Sequence, residues 1–184
     1  MGTRKERPEL IDESDRGAVI VAAALLEDDL SEMLKDIIRR NGVSAKQVKE
    51  IFDLSGPLSS FSSKALICHA FGLISKDTFD DLGKIRKLRN KFAHSTSKVD
   101  FLSPDIEDHI AEIKCCVEAS KNFKGELFKG RGFSAEISGP KAVVLEDWEA
   151  RAKGFVKYTK AVFCSGISIL RLQIKEQHLH RIET

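Results

Sequence analysis

Ser75-Lys76-Asp77-Thr78-Phe79-Asp80-Asp81-Leu82-Gly83-Lys84-Ile85-Arg86-Lys87-Leu88-Arg89-Asn90-Lys91-Phe92-Ala93-His94-Ser95 is the stretch that decides the fold of this chain. Phe79, Leu82, Ile85, Leu88 and Phe92 recur every three or four residues, the period of a helix that buries one face. Ser75 is placed to cap it, and Asp77, Asp80 and Asp81 stand near the positive end of its dipole. Lys84, Arg86, Lys87, Arg89 and Lys91 fill the other half, where cations are favourable, and the helix is expected to finish around His94-Ser95.

The same period extends to both sides. From about Ser14 to Arg40, Ala18, Ala22, Leu25, Leu26, Leu30, Met33, Leu34 and Ile37 trace another stripe, and Asn41-Gly42 supplies a stop. Ser44 caps a short helix carrying Val48, Ile51 and Phe52. After the Ser55-Gly56-Pro57-Leu58 turn, a helix from about Ser59 to Phe71 offers Phe61, Ala65, Leu66 and Phe71 for burial, with Gly72 at its end. Ser103-Pro104 opens a further helix, expected to run to about Ser120. Residues 121–145 lose periodicity at Gly125, Gly130, Gly132, Gly139 and Pro140, and read as an irregular or β-like insertion. The last element, from about Glu146 to Ile182, carries Trp148, Ala152, Phe155, Thr159, Val162, Phe163, Gly166, Ile167, Leu170 and Ile174 on one stripe. Such a helix reaches roughly 50 Å at 1.5 Å per residue, which calls for a kink, with Gly166 the natural point, or a partner chain.

These elements predict an all-α fold: a single bundle of about six helices, with a flexible N-terminus over 1–12 and one helical domain over 13–184. The length of 184 residues suits one core, and 42% hydrophobic against 32% charged residues is an ordinary globular balance. A net charge of +2 implies no nucleic-acid binding by the field of the whole chain, so any such contact needs a local patch. No run of about 18 apolar residues offers a membrane span, and the charged N-terminus is followed by no signal-peptide apolar region. Cys68, Cys115, Cys116 and Cys164 form no C-x-x-C pair and are expected to be reduced, structural residues of a cytoplasmic protein. No G-x-S-x-G, Walker or Rossmann string occurs. His178 and His180 do not share a helical face, so neither a metal nor a cofactor is expected. His69 and His109 read as surface or satisfied core groups, and Lys129-Gly130-Arg131-Gly132 as a loop more than a phosphate site.

The chemically suggestive cluster is Arg89, Asn90 and His94. Arg86, Asn90 and His94 are spaced four apart and share a helix face, whereas Arg89 and His94 stand about 140° apart around the axis. An imidazole can move a proton near neutral pH, and a guanidinium can hold phosphate oxygens, which together suit attack of an RNA 2′-hydroxyl on its phosphodiester. Asn90 can orient either group. No metal is required, and a homodimer supplying two histidines makes the acid–base pair complete. The string is too short to be specific by itself, and a structural alternative accounts for the same residues. His94 satisfies the helix end, and the arginines solvate a surface or pair with Glu27, Asp28 or Asp29 of the first helix; Asp28, Asp29 and Arg86 are the possible supporting residues.

Gly56-Pro57-Leu58-Ser59-Ser60-Phe61-Ser62-Ser63-Lys64, then Phe71-Gly72-Leu73-Ile74-Ser75, then Phe79-Asp80-Asp81-Leu82 and Ile85 to His94, together with Asp15 to Glu27, resemble the mannitol-operon-repressor family over roughly residues 14–100. That resemblance implies an all-α fold and a role in transcriptional control. With no helix-turn-helix carrying a basic recognition helix in view, regulation through a protein partner is expected in place of direct DNA reading. The string Arg89-Asn90-Lys91-Phe92-Ala93-His94 also resembles the R-N-x-x-x-H motif of the HEPN superfamily. There the matching arginine and histidine, here Arg89 and His94, imply a metal-independent ribonuclease site composed across a homodimer, with RNA as the partner.

Overall fold

The computed structural model describes residues 10–95, 99–123 and 148–183, with side chains described for 10–95, 99–121 and 158–181. Seven helices and no strand occur among the described residues: α1 (Asp15–Arg40), α2 (Ala45–Phe52), α3 (Phe61–Ala70), α4 (Lys76–His94), α5 (Pro104–Ala111), α6 (Lys114–Phe123) and α7 (Trp148–Glu183). The expected flexibility of 1–12 falls mostly on residues outside that description, as do the expected insertion beyond Phe123 and the Trp148, Ala152 and Phe155 side chains.

The helix boundaries follow local chemistry. Ser14 accepts a hydrogen bond from the Gly17 backbone at 3.0 Å and opens α1. Ser44 and Gln47 form a reciprocal capping box at α2, and Ser60 and Ser75 cap α3 and α4. Gly42 and Gly72 take positive φ, 81° and 64°, where the chain leaves α1 and α3. After α3, Leu73 N–H donates to the Cys68 carbonyl at 2.7 Å and Gly72 N–H to that of His69 at 2.9 Å, the bonds that close a helix on a left-handed glycine.

α1 runs through the middle, packed by α3, α4 and α7, while α6 lies along α7. Ala18, Val19, Ala22, Leu26, Leu30 and Met33 of α1 face Leu82, Ile85, Leu88 and Phe92 of α4 and Phe163, Ile167, Leu170 and Ile174 of α7 within one core. Each fully buried Leu, Ile or Phe contributes roughly 1.5–3 kcal/mol. Phe101 stacks obliquely on Phe92 and Phe163, at centroid distances of 5.7 and 5.5 Å, and locks the chain after α4 into that core.

Two expectations are corrected, and Gly166 gains a reason in packing. The helix expected from Ser103 to about Ser120 divides into α5 and α6, which raises the number of helices to seven. The cause is distant in sequence. The Asp81 carboxylate accepts from the backbone N–H groups of Lys114 and Cys115, each at 2.8 Å, and so opens a new helix there. Leu66 and Phe71 are exposed, at 55% and 70%, because α3 turns Ala65 and Cys68 inward. Gly166 lies within an uninterrupted α7 and serves close packing. A Cβ there would sit 2.7 Å from Cys116 Sγ and 2.9 Å from Cys116 Cα, so only glycine lets α6 approach so nearly.

The same burial uses the apolar stripe of α7 from Thr159 to Ile174 inside this chain's own core. The four cysteines are free, and burial pushes the Cys68 thiol up to about 12 and the Cys164 thiol up to about 11, as befits small core side chains. No helix among the described residues is long and apolar enough to cross a membrane.

Candidate functional site

The inward face of α4 is fixed by Leu82, Ile85, Leu88 and Phe92, each fully buried. That phase leaves Arg86, Lys87, Arg89, Lys91 and His94 exposed and Asn90 half-buried. Both ends of the helix are held. Ser75 N–H donates to Gln177 Oε1 at 3.1 Å, tying the start of α4 to α7. At the other end Arg16 of α1 donates to the Ser95 carbonyl at 3.0 Å. His109 Nε2 lies 2.9 Å from the Lys84 carbonyl and anchors α5 alongside. The platform is rigid because its inner face is core and its ends are bonded.

On this platform Arg89 Nη1 donates to Asn90 Oδ1 at 3.0 Å. His94 ends the helix as an exposed side chain, and among the described residues it forms no hydrogen bond with Arg89 or Asn90. α4 is helical through His94, so Arg89 and His94 leave its axis about 140° apart.

The acidic residues considered as supports lie elsewhere. Asp29 is buried and grips Arg171 of α7, with Nε to Oδ2 at 2.5 Å and Nη2 to Oδ1 at 3.0 Å. Glu27 pairs with Lys64 at 2.6 Å, and Asp28 is exposed. Lys91 pairs instead with Asp105 of α5 at 2.5 Å, and this hydrogen bond, the larger effect, holds the Asp105 carboxyl below its usual range against some desolvation. His178 faces Asp36 at 3.1 Å. Among the described residues no three His, Cys, Asp or Glu side chains gather as metal ligands.

The cations of α4 divide into two sets. Lys76 bonds Asp80, Lys84 bonds the Glu112 carbonyl, and Lys91 bonds Asp105. Arg86, Lys87 and Arg89 meet no carboxylate among the described residues. Lys87 belongs to this second set and was not singled out from sequence. The buried phase at Ile85 and Leu88 is the signal that could have placed it on the outer face.

Fold and surface together define an all-α bundle that presents one basic helix face beside an acidic neighbour, with no metal centre among the described residues. A family model described as mannitol repressor matches residues 9–127, and the chain belongs to that family. Curated relatives include the mannitol operon repressor of Escherichia coli strain K12, 23% identical over 101 residues, which are 54% of this chain and 52% of that one. The mannitol operon repressor of Escherichia coli O6:H1 strain CFT073 matches with the same identity and coverage. The chain thus spans about half the length of the curated relatives it matches. Among solved structures, the X-ray structure of the MtlR-HPr complex from Escherichia coli aligns with TM-score 0.67 at 16% identity, covering 90% of this chain and 95% of that one. At that identity the likeness concerns the fold.

Proposed function

We propose that this chain is a transcriptional regulator of the mannitol-repressor type that acts through a protein partner, and that the partner is an HPr-type protein. The observation that carries this reading is the family match over residues 9–127, joined to a fold likeness spanning 90% of the chain with a protein solved in complex with HPr. Direct DNA reading fits less well. A net charge of +2 supplies little of the phosphate attraction on which DNA binding depends. The regulator works in the cytoplasm, as a homodimer. Leu172 and Leu179, both 59% exposed and two turns apart on α7, support that assembly, and sedimentation of the pure chain tests it; a monomer at all concentrations contradicts it.

The test of the partner is a titration of the full chain with purified HPr. A saturable complex is expected, and absence of binding at roughly 100 μM, well above ordinary micromolar affinities, overturns it.

A second reading is a HEPN-like endoribonuclease using Arg89, Asn90 and His94, with RNA as substrate. It is favoured by one observation, the Arg89–Asn90 pair bonded at 3.0 Å about one helical turn before an exposed His94. Because Arg89 and His94 leave α4 in different directions and one imidazole cannot serve as both acid and base, the site needs the second copy. Arg89 would hold the phosphate, Asn90 would orient it, and the two histidines would act as base and acid. Arg86 stands on the same exposed face as a possible further phosphate contact. Cleavage of single-stranded RNA in EDTA, leaving a 2′,3′-cyclic phosphate and abolished by His94→Ala, is the expected result. Intact RNA after long incubation with the dimer rejects it.

A further inference from the structure

Asp15 and Arg16, adjacent at the start of α1, hold both ends of the connection that leaves α4. Arg16 Nη2 donates to the Ser95 carbonyl at 3.0 Å, and Asp15 Oδ2 accepts from the Phe101 N–H at 3.2 Å. Asp15 is itself tied to α7, its Oδ1 lying 3.6 Å from Lys160 Nζ. Ser95 directly follows His94, and its carbonyl is among the terminal acceptors that a helix leaves without an internal partner. A guanidinium at that place also complements the negative end of the helix dipole. The last turn of α4 is held from two further sides. Lys91 pairs with Asp105 of α5 at 2.5 Å, and Phe92 is buried with its ring centroid 5.7 Å from that of Phe101. Helix ends ordinarily fray, and an imidazole on a fraying turn has no fixed direction. His94 is exposed, yet the residue after it is bonded to another helix.

We infer that Arg16 is a positioning residue for His94, with Asp15 as its brace: by tying the exit of α4 to α1, it sets the direction in which the imidazole leaves the helix end. The inference deepens the ribonuclease reading of the Arg89–Asn90–His94 site and rests on it. An imidazole that moves a proton must stand within hydrogen-bond reach of it, and a misplacement of about 1 Å costs roughly 100-fold in rate. Arg16 acts through the Ser95 backbone and takes no part in the proton transfer itself.

The test compares three variants of the full chain: Arg16→Ala, Arg16→Lys, which keeps a cationic donor, and a control, Arg39→Ala, which removes an exposed arginine from the far end of α1. The first readout is NMR with labelled histidine, the His94 ring signals being assigned by their loss in His94→Gln. Arg16→Ala should shift or broaden those signals. It should also speed exchange of the Ser95 amide, bonded in the wild type to the Lys91 carbonyl, by about tenfold. Arg16→Lys should restore both in part, and Arg39→Ala should change neither. The second readout is cleavage of single-stranded RNA in EDTA. There kcat should fall about tenfold in Arg16→Ala with KM nearly unchanged, and recover in part in Arg16→Lys. Unchanged His94 signals in Arg16→Ala overturn the inference. An equal change in Arg39→Ala also overturns it, because it marks a general loosening of the fold. Altered signals with undiminished kcat overturn it too, since the imidazole then works without Arg16. RNA left intact by every protein removes the ribonuclease reading, and the ring signals and Ser95 exchange alone then decide whether Arg16 positions His94.

Discussion

Asp81 on α4 caps α6 from outside that helix, its two carboxylate oxygens each 2.8 Å from a backbone nitrogen, one of Lys114 and one of Cys115. Asp81 is only 2% exposed, so those bonds are made out of reach of bulk water. Asp81→Ala is expected to cost about 3 kcal/mol, as the sum of a lost cap and unsatisfied buried donors. Asp81→Asn keeps one acceptor oxygen and should cost roughly half as much. Urea denaturation of the three proteins measures the order, and an Ala variant as stable as wild type contradicts the capping role.

Arg171 is the counterpart of a buried acid. Asp29 has a side chain only 5% exposed, and Arg171→Met leaves its charge without the bidentate partner. A loss of about 3 kcal/mol is expected, with most of it recovered when Asp29→Leu is added, since isosteric apolar replacement of both members is often nearly neutral. A double-mutant cycle by thermal denaturation checks this. Independent, additive effects would show that the pair does not act as a unit.

Close packing of α6 on α7 predicts that Gly166→Ala destabilises by roughly 1–3 kcal/mol. Adding Cys116→Ala removes the contact with Sγ and leaves those with the Cys116 Cα and N, at 2.9 and 3.0 Å, so it should rescue only in part. Stabilisation by the single change, as expected of a glycine in open space, would contradict the contact.

Glu107 provides the pH dependence. Burial raises its carboxyl above the usual value of 4.5, partly opposed by the hydrogen bond from Thr159. The folded state therefore holds this proton more tightly than the unfolded state. The stability that Glu107 contributes is present below 4.5 and is lost as pH rises through its elevated value. Glu107→Gln should melt higher than wild type at pH 7, with the difference shrinking as the solution is acidified. A difference that is constant with pH contradicts this sign.

Much of the fold could be read from local patterns. Ser14, Ser44 and Ser75 announce their helices, Asn41-Gly42 closes α1, and the Phe79 to Phe92 period sets the phase of α4 and with it the exposure of Arg86, Arg89 and His94. What escaped was non-local. Glu112-Ile113 contains no proline or glycine, so the break between α5 and α6 is visible only once Asp81 is folded against it. Leu66 and Phe71 are apolar, but neighbours on α1 and α4 decide which side of α3 is buried. The packing role of Gly166 was hidden because a sequence shows the missing side chain and not the Cys116 that requires its absence. The pairing of Asp29 with Arg171 spans 142 positions and has no local signature.

Titration calorimetry of the full chain with purified HPr, run beside an RNA-cleavage assay in EDTA on the same sample, tests partner-mediated regulation most directly. The account predicts a saturable complex with HPr and intact RNA. No heat of binding together with His94-dependent cleavage of the RNA would contradict it.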